Sequence, residues 1–173
     1  SKEVFKTKWF SIRQDDCVVD AKKRIKDFCV IDSPNGVMVV PLTATGEIIL
    51  VRQFRQSLGQ ITLECPAGFT GKEDKSLEGA ARRELLEETG YSAKEFINLG
   101  DFYLYPSKLT TKIRIFLAKN CKKICNSAPD ENEIVEIKKL KFSDVIKSLG
   151  KKKVEISDSS LAILLAEKYY KNK

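Results

Sequence analysis

The chain contains no histidine and a single tryptophan, Trp9. Without imidazole no Ser–His or Cys–His nucleophile can be assembled, so a general base must be a carboxylate, lysine, tyrosine or cysteine. The five cysteines (Cys17, Cys29, Cys65, Cys121 and Cys125) form no C-x-x-C pair, and no histidine completes a zinc site around Cys121 and Cys125. Odd in number and scattered, they suit free thiols in a reducing cytoplasm. No apolar run approaches the ~18 residues of a membrane span, and the opening stretch SKEVFKTKWF lacks the apolar centre of a secretory signal. Internal repeats and low-complexity linkers are missing as well.

What is present is an ordinary globular composition. Of 173 residues, 42% are hydrophobic and 32% charged, which fits one domain able to bury about 70% of its unfolded surface. The net charge of +7 resides largely in late lysines, in AKNCKKIC, EIKKLKF and LGKKKVE. Such runs make a solvated surface. No basic motif interleaved with aromatics accompanies them, so neither nucleic acid nor membrane is an expected partner. An RNA 5′-end processor using this basic surface is the alternative class, and it would bind RNA in a steeply salt-dependent way.

Residues 4–32 predict short β segments broken at Gln14–Asp16 and near Ala21. The turn SPNG (Ser33–Gly36) leads into the apolar run VMVVPL, and TATG then turns into EIILVRQFR, so residues 37–54 predict a hairpin. ITLEC is a shorter strand ending at Pro66. A helix is expected from about Ser76 to Thr89, with Ser76 as its cap and Gly90 as its stop. FINLGDFYLYP, TKIRIFLAKN and VEIKKLKF predict further strands. SDVIKSLG predicts a short helix capped by Ser143, and SDSSLAILLAEKYYK a C-terminal helix capped near Ser157 or Asp158. Strands flanking two or three helices indicate a mixed α/β (α+β) domain with a mixed sheet.

The densest chemistry lies in AARRELLEETGY, residues 80–91, where Glu84, Glu87 and Glu88 follow Arg82 and Arg83. At about 100° per residue Glu84 and Glu88 lie ~40° apart and Glu87 ~60° from Glu84, so the acids share a stripe. Ala81 and Leu85 bury the face beside them, and Leu86 packs on the other side. Clustered carboxylates repel one another unless a cation sits among them, and hard divalent ions take oxygen ligands shared with substrate phosphates. A charged surface held by Arg–Glu pairs gives the same helix pattern.

The wider string AGFTGKEDKSLEGAARRELLEETGY resembles the signature of Nudix hydrolases, G-x5-E-x7-R-E-U-x-E-E-x-G-U with U apolar. Arg83, Glu84, Leu85, Glu87, Glu88 and Gly90 match its second half, with Tyr91 at the apolar end. The first half departs. Counting back from Arg83 puts Lys75 at the first glutamate and Phe69 at the glycine, whereas a one-residue insertion places Gly68 and Asp74 (or Glu73) in those roles. ILVRQFRQSLGQITLECPAGF is similar to the ADP-ribose pyrophosphatase branch, which carries a V-x-Q-[FY]-R strand followed by E-x-P-A-G.

That resemblance implies a sandwiched α/β/α Nudix fold over residues 36–173. It also implies an N-terminal β subdomain, residues 1–35, exchanged between the subunits of a homodimer. The implied reaction is hydrolysis of a nucleoside diphosphate sugar by a cytoplasmic enzyme. ADP-ribose leads as substrate, with GDP-mannose or another nucleotide sugar next. Mg²⁺, with Mn²⁺ as substitute, is the implied cofactor, held by Glu84, Glu87, Glu88 and the carbonyl of Ala67. Arg83 belongs to the same catalytic helix, and Arg55 to the diphosphate, with Glu64 as its partner or a substrate contact. The general base is expected from the loop SAPDENEIVEI, with Glu133 or Glu131 in that role. Trp9 is expected on the nucleobase or in dimer packing, Phe28 in the core, and Cys65 as a packing residue. YPSKLTT lies where the branch has Y-x-S-P-G-[FLM]-[ST], which puts Ser107 near substrate, while Lys108 and Leu109 depart from the pattern.

Overall fold

The computed structural model describes residues 1–21, 23–128, 135–151 and 156–172. Among these residues twelve strands and three helices follow one another. An N-terminal antiparallel sheet comprises β1 (Lys2–Lys6), β2 (Ser11–Val18) and β3 (Arg24–Asp32). Next come β4 (Gly36–Pro41), β5 (Glu47–Arg55), β6 (Gln60–Glu64) and β7 (Ala67–Phe69), then α1 (Leu77–Thr89). The chain continues through β8 (Tyr91–Ser92), β9 (Glu95–Tyr103), β10 (Lys112–Lys119), β11 (Lys122–Lys123) and β12 (Val135–Lys141). It closes with α2 (Phe142–Ser148) and α3 (Ser157–Lys171).

Two sheets form the centre, ordered β7-β4-β10-β9 and β12-β5-β6. Within the first sheet β4 and β10 pair in parallel while β7 and β9 pair antiparallel, so it is mixed. Side-chain alternation along β4 explains the layering. Val37 and Val39 pack with Ala80, Ala81 and Leu85 of α1, whereas Met38 and Val40 pack with Ala162, Ile163 and Ala166 of α3. β5 divides the same way, Ile49 toward α1 and Ile48 and Leu50 toward α3. A strand buried on both faces must be apolar at consecutive positions, and each buried Val, Leu or Ile contributes about 1.5–3 kcal/mol. The result is the α/β/α sandwich.

The hairpin expected over residues 37–54 does not form. β4 and β5 are joined by the Leu42–Ile48 bridge and the bond from the Thr43 amide to the Glu47 carbonyl, and then enter different sheets. Both strands are buried on two faces, and each finds partners far along the chain, β10 for β4 and β12 for β5. The strand break expected at Gln14–Asp16 is instead a register shift within β2, between Asp15 and Cys17. β3 is tied to the body of the protein through Lys108, whose carbonyl accepts from the Ile31 amide at 2.8 Å, while the Thr110 amide donates to the Ile31 carbonyl at 3.1 Å.

Candidate active site

Helix α1 is set firmly at both ends. The Ser76 hydroxyl accepts from the Gly79 amide at 2.9 Å, and Gly90, at φ 72°, donates its amide to the Leu86 carbonyl at 2.7 Å. A side chain at Gly90 is excluded twice, by the left-handed backbone and by the Cys125 carbonyl, which lies 2.2 Å from where a Cβ would stand. On the outer flank Arg82 bonds Glu78 and the carbonyls of Ala93 and Lys94, and it lies 4.3 Å over the Phe96 ring. The opposite flank faces a cavity of about 940 Å³.

Arg83 organises that flank. Its guanidinium donates to both carboxylate oxygens of Asp74 (3.1 and 2.9 Å), to Glu84 (2.9 Å), to Glu87 (2.9 Å) and to the Phe69 carbonyl (3.2 Å). These bonds employ all five N–H donors of an arginine. The irregular TGKEDK loop is thereby resolved. Asp74, its carboxylate also accepting from the Gly71 amide at 2.8 Å, is the loop acid that Arg83 holds directly. Glu73 is largely exposed and only approaches Arg83, at 4.0 Å. The Arg83 hydrogen bonds hold the Asp74 carboxyl below its ordinary value, against the upward push of burial, and in return Asp74 raises the pKa of Arg83.

A carboxyl depressed in this way contributes stability that is complete above its unfolded value near 3.8 and drains away as the pH falls further. Asp74→Asn is therefore expected to cost about 1–3 kcal/mol at neutral pH, where a charged hydrogen-bond partner is lost. The same variant should flatten the acid limb of a pH series of chemical denaturations. An acid limb identical to that of the wild type would show that the pair is solvent-screened.

Two of the helix acids press on the Pro66-Ala67-Gly68 turn. Glu88, 5% exposed, accepts from the Ala67 amide at 3.3 Å. The Glu84 carboxylate lies so close over Gly68 that a Cβ there would stand 2.2 Å from it. Glu87 is half-exposed at the cavity edge, so the stripe inferred from helix periodicity is present but graded in depth. Across the cavity Arg55 is clasped by Glu64, Nε to Oε1 at 2.8 Å and Nη2 to Oε2 at 2.5 Å, and the Thr62 hydroxyl donates to Glu64 as well. Burial pushes the Glu64 carboxyl up, but Arg55 and Thr62 outweigh it and keep the acid below its ordinary value. Glu64 thus orients Arg55 from a site only 3% exposed. Burial, seconded by Asp158 and Glu64, pushes the Cys65 thiol far up, as suits a packing residue.

The other expected residues divide. Trp9 reaches the cavity of its own chain, with the Lys8 ammonium 4.5 Å above its ring. Ser107 does not line the cavity, because the 105–110 loop is fastened to β3, where Lys108 covers the ring of Phe28 at 4.6 Å. Phe28 is accordingly half-buried rather than in the core. Glu131 and Glu133 lie outside the described residues. Their flanks are defined: the Ala128 amide donates to the Glu87 carbonyl at 2.8 Å, and Val135 pairs with Gln53 of β5. One acid on the cavity wall is not expected there from the sequence. Asp158 reads as a helix cap in SDSS, yet α3 has no side-chain cap and Asp158 faces the cavity.

Among the described residues no three acids are already gathered as a closed metal cluster. Arg83 holds Glu84 and Glu87 where a cation would draw them together. The donor set nevertheless fits a hard divalent ion, since it is all oxygen and two of its carboxylates converge on one turn. The space over Gly68 is kept open by the absence of a Cβ and is filled by the Glu84 carboxylate.

Comparison with known proteins agrees with this geometry. Residues 32–160 match the NUDIX domain. The chain is 33% identical to an ADP-ribose pyrophosphatase of Bacillus subtilis (strain 168) over 78% of its own length and 72% of that protein's. It is 29% identical to a GDP-mannose pyrophosphatase of Escherichia coli (O1:K1 / APEC), covering 88% of this chain and 80% of that one. Among solved structures, an ADP compounds hydrolase superposes with a TM-score of 0.84 at 22% identity, over 99% of this chain and 91% of the other.

Proposed function

Because the chain belongs to the NUDIX domain family, we propose that it hydrolyses the pyrophosphate bond of a nucleoside diphosphate sugar. ADP-ribose is the leading substrate, cleaved with one water to AMP and ribose 5-phosphate, and GDP-mannose is the next. The observation that carries this reading is the facing of two groups across one cavity. On one wall the Glu84/Glu88 pair is packed on the Ala67–Gly68 turn, and on the other stands an arginine fixed by a buried acid. A diphosphate needs both, an oxygen-rich seat for its counter-ion and a rigid guanidinium for its own oxygens.

Family members use divalent metals, and here Glu84, Glu87 and Glu88 with the Ala67 carbonyl would hold Mg²⁺, with Mn²⁺ as a substitute. When bound, such an ion neutralises diphosphate charge and acidifies water. The chain's own residues do the rest. Asp74 and Arg83 keep Glu84 and Glu87 in position, and Arg55, held by Glu64, draws in the diphosphate. Glu133 or Glu131 accepts the proton of the attacking water, from a segment whose ends are fixed at Glu87 and Gln53. Trp9 offers a flat apolar ring to the base, where stacking is worth about 1–3 kcal/mol.

Exposed Val4, Phe5, Val18 and Val19 on residues 1–35 suit that segment to homodimer contact and exchange between subunits. The free cysteines suit a cytoplasmic enzyme. The deciding measurement is a hydrolysis screen over ADP- and GDP-linked sugars, with Mg²⁺ and with chelator. Turnover that requires the ion is expected. No turnover of any diphosphate, or RNA binding that collapses with salt in its place, would remove this reading.

A further inference from the structure

Asp158 has no part in the hydrolysis set out above, yet its position is closely determined. It is the second residue of α3, and that helix start is stitched to the catalytic turn by the Cys65 amide, which donates to the Ser159 hydroxyl at 3.1 Å. Cys65 and Ser159 are both buried. Asp158 is thereby presented to the cavity on the Arg55–Glu64 side. One of its oxygens accepts from the Ser159 amide at 2.7 Å, and among the described residues it forms no salt bridge. Burial raises its pKa, the nearby Glu64 adds to that, and Arg55 opposes it.

A partly desolvated carboxylate without an ion-pair partner costs stability. Asparagine would keep the bond to Ser159 and give up only the attraction of the helix N-terminus for a negative charge, which is less than the desolvation it relieves. Its cavity neighbour narrows the choice of ligand. A carboxylate repels phosphate and only accepts hydrogen bonds, so the part of an anionic nucleotide sugar that meets it is a neutral donor. The residue beside it is Arg55, assigned above to the diphosphate. The group within reach is therefore one bonded directly to the diphosphate, which is a sugar rather than a base. We propose that Asp158 is a specificity residue that accepts hydrogen bonds from hydroxyls of a sugar attached to the diphosphate, and that it keeps any further phosphate out of that place. The assignment rests on the hydrolase reading.

The test compares wild type with Asp158→Asn and Asp158→Ala on three Mg²⁺-loaded substrates. These are ADP-ribose, an ADP alkyl ester that lacks the distal hydroxyls, and the 2′,3′-dideoxyadenosine form of that ester. Loss of a charged hydrogen bond to a hydroxyl should lower kcat/KM on ADP-ribose ~10- to 100-fold, chiefly through KM. The loss on the hydroxyl-free ester should be at least about tenfold smaller, and the middle substrate then shows which sugar is read. Thermal unfolding should place Asp158→Asn at or above the wild type, opposite in sign to the activity change. Equal losses on all three substrates, no loss on any, or a lowered melting point with losses in proportion would overturn the assignment. Wild-type protein inactive on every diphosphate overturns the hydrolase reading, and this assignment with it.

Discussion

Glu88→Gln should lower kcat by about 10³-fold while leaving the fold as stable as before. Glu88 is 5% exposed and accepts from the Ala67 amide, so its charge is held against the turn that carries the proposed metal carbonyl. Glutamine keeps that bond, because the amide oxygen accepts as a carboxylate oxygen does. It removes a buried negative charge from a wall that already holds Glu84, and so relieves the repulsion between the two carboxylates. What it cannot supply is the charge that binds a divalent ion, whose contribution to the transition state is several kcal/mol, at about 1.4 kcal/mol per tenfold in rate. Steady-state kinetics across a Mg²⁺ titration, beside a denaturant melt, separates the two outcomes. A variant with wild-type kcat would remove Glu88 from the metal site, and one that fails to fold would make it a structural acid.

The helix bearing Glu88 was legible in the sequence because its signals are local. Ser76, Gly90, and the positions of Ala81 and Leu85 fix its ends and its buried face, and the structure places it over Leu77–Thr89. The resemblance of RQFR and ECPAG to a known branch similarly anticipated the Arg55–Glu64 wall. Three features resisted, each because it depends on distant chain. β4 and β5 look like a hairpin from residues 37–54, but burial on both faces sends each to a remote partner. Ser107 looks placed for substrate by its motif, but the 105–110 loop is drawn to β3, with Lys108 over Phe28. Asp158 looks like a cap, and only the packing of α3 against Cys65 turns it toward the cavity. The TGKEDK loop is the intermediate case. Its spacing allowed Asp74 or Glu73 as the first acid, and of the two it is Asp74 that Arg83 holds, with two of its five donors.

Gly68→Ala is expected to separate catalysis from stability most sharply. A Cβ at Gly68 would stand 2.2 Å from the Glu84 carboxyl carbon and from Oε1, and 2.5 Å from Oε2. These atoms are the far end of a flexible side chain, so the protein can fold by rotating Glu84 away. Gly68 does not occupy the left-handed region either, so alanine brings no backbone strain. The rotation, however, breaks the Arg83–Glu84 bond and takes one proposed metal ligand off the turn. We therefore expect melting about 2–4 °C below wild type, because one partly exposed ion pair is worth about 1 kcal/mol. We expect a fall in kcat of ~10²-fold or more, the usual effect of displacing a positioned charged group. Gly46→Ala serves as the converse control. Gly46 has φ +76° with nothing within 4 Å of its Cβ position, so alanine there strains the backbone by about 1 kcal/mol and touches no part of the cavity. It should melt lower by a similar amount and turn over normally, so that the stability loss alone is shown not to lower kcat. If Gly68→Ala instead keeps its kcat, Glu84 does not need the turn, and the metal seat must be sought on Glu87 and Glu88 alone.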